Sequence, residues 1–140
     1  MQLQLQQEVL QSLVSRLPTT SLTTLCSALT FTPPSLFGAD TLSINASIVT
    51  GYSTTVLDTY WFNHPTTTIT NATFGNVPIA YTHPGQNDYI NVNIWLPTVE
   101  DWNSRLMAVG GGGCVAGGTQ FFLSTTAMSG AVGTGYATMT

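Results

Sequence analysis

The sequence has 140 residues and a mass of 14.9 kDa, with 2 Lys or Arg and 6 Asp or Glu, so 6% of it is charged against about 25% in an average soluble domain. With 43% hydrophobic residues and 10% aromatics there is material for one core, which excludes the low-hydrophobicity, high-charge route to disorder. A net charge of −4, a pI near 4.5 and no lysine leave only Arg16 and Arg105 to meet phosphates, and nucleic acid is thereby excluded as a partner.

Leu10, Leu13, Val14 and Leu17 recur at helical spacing and Pro18 stops the run, so residues 1–20 read as a helical lead-in to a body spanning residues 21–140. No stretch offers the roughly 20 apolar residues of a membrane span. The polar start also lacks the basic-then-apolar pattern of an export signal. A lysine-free, Thr-rich sequence with two acceptor triplets for N-glycosylation, Asn45-Ala-Ser47 and Asn71-Ala-Thr73, nevertheless favours a secreted glycoprotein. Cys26 and Cys114 are too few to fix the redox compartment.

The segment from Leu22 to Pro34 reads as a short docked stretch ending in an irregular turn. Thr41 to Tyr52 alternates, with Leu42, Ile44, Ala46 and Ile48 on one face and Ser43, Asn45 and Ser47 on the other, which predicts a strand with one wet face. Val77 to His83 and Tyr89 to Pro97 read as an antiparallel hairpin joined by the turn formers Pro84 to Asp88. Ile90, Val92, Ile94 and Leu96 share one of its faces, and Tyr89, Asn91, Asn93 and Trp95 the other. Arg105 to Val109 is a continuous apolar run, as in a strand buried on both faces, and it leads into the glycine-rich stretch from Gly110 to Gly118. Thr125 to Gly133 predicts a packed helix and Gly135 to Thr140 one more strand. Hairpin, buried strand, glycine loop, helix and strand is the opening of an α/β sheet, incomplete because further strands should follow.

Glycines after a buried strand let the backbone turn sharply and aim N–H groups at an anion or a developing oxyanion. A Walker-type phosphate loop requires Gly-Lys-Ser/Thr, and the sequence has no lysine. Gly111, Gly113 and Ala116 match a loose dinucleotide fingerprint, but no Asp or Glu lies beyond Asp101 to meet a ribose. Two readings stay open on the residues alone: an oxyanion loop of the α/β-hydrolase kind, and glycines that serve close packing.

Several ordered stretches carry a more specific signal: Tyr81-Thr-His-Pro-Gly-Gln-Asn-Asp88 with Val92-Asn-Ile-Trp-Leu-Pro97, then Trp102-Asn-Ser-Arg105 leading to Gly110-Gly-Gly-Gly113, then Gly133-Thr-Gly-Tyr-Ala-Thr138. Together they resemble the tannase and feruloyl esterase family of α/β-hydrolases, from about Cys26 to Thr140. The resemblance implies a secreted serine esterase acting on small esters of plant phenolic acids such as gallate or ferulate, with residues 21–140 as the amino-terminal portion of its esterase domain. It implies that backbone N–H groups at Gly112, Gly113 or Cys114 supply the first half of an oxyanion hole. The family's serine, aspartate and histidine, and the lid domain that carries its calcium ion, have no counterpart in these 140 residues, which contain no G-x-S-x-G or C-x-x-C-S arrangement. An inactive amino-terminal fragment is therefore expected, with no cofactor or metal site of its own. Gly75 stands where the family has a cysteine paired with the early one that Cys26 resembles. Cys26 and Cys114 either pair in a compensating bridge or are both free.

Other residues are read against simpler roles. His64 and His83 each precede a proline in a turn-like context, and neither is expected to be catalytic or metal-binding. Asp88, Glu100 and Asp101 fall in loops and do not form a carboxylate pair for glycoside cleavage. Trp61, Trp95 and Trp102 are read as packing residues, Trp102 anchoring the turn before the buried strand. Their other use, as a stacking platform, would make the chain a small secreted β-rich carbohydrate-binding module without catalysis.

Overall fold

The structure is a computed structural model that describes Cys26 and residues 31–59, 64–110 and 122–140, with the side chains of Phe122 and Leu123 left out. The lead-in expected over residues 1–20 lies outside the described residues. In chain order the elements are β1 (Asp40–Ile44), β2 (Ser47–Val56), β3 (Thr67–Thr82), β4 (Ile90–Pro97), β5 (Leu106–Ala108), α1 (Phe122–Gly133) and β6 (Ala137–Met139). The strands form one mixed sheet in the order β1–β3–β4–β6–β5, with β2 also paired to β3. Among these pairings β5 with β6 is parallel and the rest are antiparallel.

The stretch expected to be one strand from Thr41 to Tyr52 is divided, and Pro78 explains why. In an antiparallel strand the N and O of a residue point to the same side. The Pro78 carbonyl accepts from the Asn45 N–H at 3.0 Å, but its nitrogen has no proton to give back. The partner therefore leaves the ladder at Asn45–Ala46, between Ile44 opposite Ile79 and Ser47 opposite Asn76. A register shift between Thr41 and Ser43 also turns Leu42 outward, where it is exposed.

The expected antiparallel β3–β4 hairpin is present, with Val77 opposite Ile94 and Ile79 opposite Val92, although β3 begins at Thr67, well before the Val77 expected. Both of its faces are partly covered. Phe74, buried at 1% exposure, stacks on Trp95 with centroids 4.7 Å apart, and Tyr52 meets both rings edge-on. Helix α1 lies over this face: Tyr52 Oη and Ser129 Oγ are 2.6 Å apart, and Ser129 donates onward to the Thr125 carbonyl at 2.8 Å. Val56 and Ile69 of the sheet and Ala131 of the helix are buried together between the two, with Met107 and Tyr136 packed against them.

Strand β5 differs from the expectation of burial on both faces: Leu106 and Met107 are half-buried and Ala108 is exposed. Its described pairing is to β6, so among the described strands it stands at the edge of the sheet.

Helix α1 begins at Phe122, earlier than the Thr125 expected, and closes in a Schellman arrangement in which Gly135 N–H donates to the Val132 carbonyl and Tyr136 N–H to the Ala131 carbonyl. Gly135 has φ +84°, and a Cβ there would stand 2.4 Å from the backbone oxygen of Asp101. Gly135→Ala is expected to cost at least about 1–3 kcal/mol from backbone strain, with the backbone clash adding to it. Urea denaturation checks this, and an unchanged midpoint would contradict it.

Cys26 is a free, half-buried thiol that donates to the Ser47 carbonyl at 3.2 Å, and burial pushes its pKa up. A Cβ built on Gly75 would stand 2.8 Å from its sulfur and 3.8 Å from its Cβ. The second distance equals the mean Cβ–Cβ separation across a disulfide, about 3.8 Å. Gly75→Cys is accordingly expected to close a bridge to Cys26 on oxidation and to add about 4 kcal/mol for a loop of this length. Peptide mapping and the urea midpoints of the oxidised and reduced forms read this out, and two thiols that stay free under oxidant would refute it.

Candidate functional site

The parallel pair β5 and β6 runs in register from Leu106 opposite Ala137 to Ala108 opposite Met139. Pairing continues one step past the strand, where Val109 N–H donates to the Met139 carbonyl at 2.7 Å. The chain then leaves the sheet at Gly110. On the neighbouring side Asn93 and Thr140 exchange both backbone hydrogen bonds at 3.0 Å, which holds the carboxyl end of β6 flush against β4. The glycine-rich stretch thus departs from the carboxyl ends of two adjacent parallel strands, where open α/β sheets bind ligands.

Ser124, in the first turn of α1 and 1% exposed, donates from Oγ to the Gly110 carbonyl at 3.3 Å. This bond ties the last described residue before the bend to the helix that follows it. A Cβ added at Gly110 would meet no atom of the described residues within 4 Å. The Oγ1 atoms of Thr138 and Thr140, on the strand beside the bend, are buried without a hydrogen-bond partner. The oxyanion candidates Gly112, Gly113 and Cys114 lie outside the described residues.

The other candidates take the simpler roles. Thr82 Oγ1 donates to Asp88 Oδ1 at 2.9 Å, as does the His83 N–H at 2.8 Å, and His83 Nδ1 stands 2.6 Å from Asp88 Oδ2. These bonds clamp the β3–β4 turn and end the strands before the short loop expected. They also show why Asp88 is in this turn, which the spacing of residues alone did not reveal. Trp102 anchors the turn before β5, its Nε1–H donating to the Arg105 carbonyl at 3.1 Å. With Trp95 committed to the aromatic cluster and Trp61 outside the described residues, no stacking platform is seen among the described residues. Among them no group of three or more His, Cys, Asp or Glu side chains is placed to hold a metal ion, and no helix is long and apolar enough to cross a membrane. Asn45 and Asn71 are both exposed.

The hydrogen bond from the His83 imidazole, aided by the His83 backbone N–H, holds the Asp88 carboxyl at about 2. Its ordinary value is about 3.9. A carboxyl depressed on folding contributes stability that is present above about pH 4 and is lost as pH falls toward about 2. Following the Thr82 and His83 amide resonances through this range should show the turn loosening only at its acid end. Asp88→Asn should abolish that dependence, and a turn that titrates in the variant as in the parent would contradict the assignment.

No protein-family model matches the sequence. The chain is similar to a probable feruloyl esterase of Arthroderma benhamiae, 33% identical over 98 residues that cover 70% of this chain and 17% of that protein. It is also similar in structure to the tannin acyl hydrolase of Aspergillus niger, with a TM-score of 0.61 and 28% identity over 82% of this chain and 20% of that one. The chain therefore spans about a fifth or less of the length of the relatives it matches.

Proposed function

We propose, from the premise that this chain is related to the tannase and feruloyl esterase family over the segment they share, that it carries the amino-terminal sheet of an α/β-hydrolase acting on carboxylic esters. Residues 21–140 form that portion in this reading, and the substrates are small esters of plant phenolic acids. The chain is read as an exported glycoprotein fragment. One observation carries the assignment: the glycine run leaves β5 at the carboxyl ends of a parallel pair and is tied by Ser124 to the helix that follows.

The four glycines Gly110 to Gly113 carry no side chains, so an ester's carbonyl oxygen would have close access to main-chain N–H groups there. As the tetrahedral intermediate forms, negative charge collects on that oxygen, and donors at Gly112, Gly113 or Cys114 meet it. One such donor is worth about 10²–10³ in rate. The other oxyanion donor, the serine nucleophile and its aspartate and histidine partners come from sequence outside these 140 residues, and no cofactor is needed within them. A carbohydrate-binding module gains no specific support, because the described tryptophans are engaged in packing and turn anchoring.

Alone, the chain is expected to release no p-nitrophenol from p-nitrophenyl acetate above the buffer rate. Turnover abolished by substituting one of its own residues would overturn the proposal. Joined after Thr140 to the remaining sequence of the feruloyl esterase relative, it should cleave methyl ferulate. In that chimera Gly113→Pro, which removes an amide N–H, should lower kcat by about 10²–10³ with KM nearly unchanged. An active chimera indifferent to this substitution would refute the oxyanion role.

A further inference from the structure

A cleft of about 680 Å³ opens between the start of β3, the end of β4 and the carboxyl end of α1, within the roughly 300–1,000 Å³ of small-ligand sites. It lies at the amino end of β6, so it is on the edge of the sheet opposite the glycine bend. Its wall carries the hydroxyl-bearing residues Thr70, Thr73, Thr98 and Thr134 together with Asp101, and Pro97 and Val132 add apolar surface. Thr98 and Asp101 are already joined, Oγ1 to Oδ2 at 2.8 Å, which leaves the carboxylate able to accept more. Among the described residues no Lys, Arg or His lines the cleft, so its chemistry suits a neutral polyhydroxylated ligand and not an anion.

Asn71 stands on the same wall. It is exposed, at φ +53° in the register shift between Tyr52 and Thr54, and has no partner in the β2–β3 register. Its backbone N–H is satisfied by Ser53 Oγ at 2.9 Å, which holds the bulge in place. The residue is also the acceptor of the triplet Asn71-Ala72-Thr73.

We infer that Asn71 is an N-glycosylation site whose first N-acetylglucosamine seats in this cleft. The transfer joins Asn71 Nδ2 to C1 of the first sugar of a lipid-linked diphosphate oligosaccharide. The C1–O bond to phosphate breaks, the lipid diphosphate leaves, and the amide nitrogen gives up one proton. Tethering raises the sugar's effective concentration at the hydroxyl-lined wall, so individually weak contacts suffice to order it. The inference rests on the proposal that the chain is exported and does not depend on the esterase reading.

The test is expression of the 140-residue chain behind a secretion leader in yeast, with glycopeptide mapping and melting of the product, and parallel translation into microsomes to read occupancy if secretion fails. Asn71 should be occupied in the parent and in Thr73→Ser and bare in Thr73→Ala. The parent should melt about 4 °C above Thr73→Ala. It should keep that margin after endoglycosidase H trims the glycan to a single sugar. The same two chains made without glycan in bacteria should melt together, which separates the sugar's effect from that of the substitution. An unmodified Asn71, or an occupied one whose removal leaves the melting temperature unchanged, overturns the inference; ester hydrolysis plays no part in either outcome.

Discussion

The parallel pairing of β5 with β6 is the constraint from which the rest of the site follows. Two adjacent parallel strands force the chain to leave the sheet at one edge and return from the other, and α1 spans that crossing. The helix sits close to the sheet: a Cβ on Gly133 would lie 2.2 Å from Ile69 Cγ1. Small buried residues along it, Ser124, Ser129, Gly130 and Ala131, permit that approach.

The two edges of the sheet are built differently. At the carboxyl ends of β5 and β6, backbone bonds from Val109 and Thr140 carry the pairing to its limit, and Ser124 fixes the exit at Gly110. At the opposite edge, the Thr98–Asp101 turn, the Asn103 N–H donating to the Gly135 carbonyl and the helix close lock the β4–β5 connection onto α1. Chemistry is proposed at the first edge and a covalent sugar at the second, so the two do not compete for space.

Much of the sheet was legible where one physical rule acted alone. The alternation from Ile90 to Leu96 and the turn formers Pro84 to Asp88 specify β4 and the existence of its hairpin, though both faces of the hairpin are partly covered. The β2–β3 hairpin was not legible. Thr67 to Asn76 is Thr-rich, and the bulges at Gly51 and Asn71 change which side chains face inward, so no period survives in the sequence. The division at Asn45 was hidden for another reason, since it depends on Pro78 in the neighbouring strand. The exposure of β5 likewise reflects its place at the edge, which a run of apolar residues does not encode. The glycine bend was visible as composition, but its tie through Ser124 was not, because that hydrogen bond exists only once the helix is seated.

The chain shares 28–33% identity with relatives about four times its length. Its central requirement is that the amides of the bend are uncommitted within the folded chain. Amide hydrogen exchange at Gly112, Gly113 and Cys114, read by NMR beside the Val109 and Thr140 amides, tests this most directly. Exchange at the bend close to the unstructured rate, with Val109 and Thr140 strongly protected, is the predicted result. Bend amides as protected as those of the strands would mean that they are already bonded internally and have nothing to offer an oxyanion.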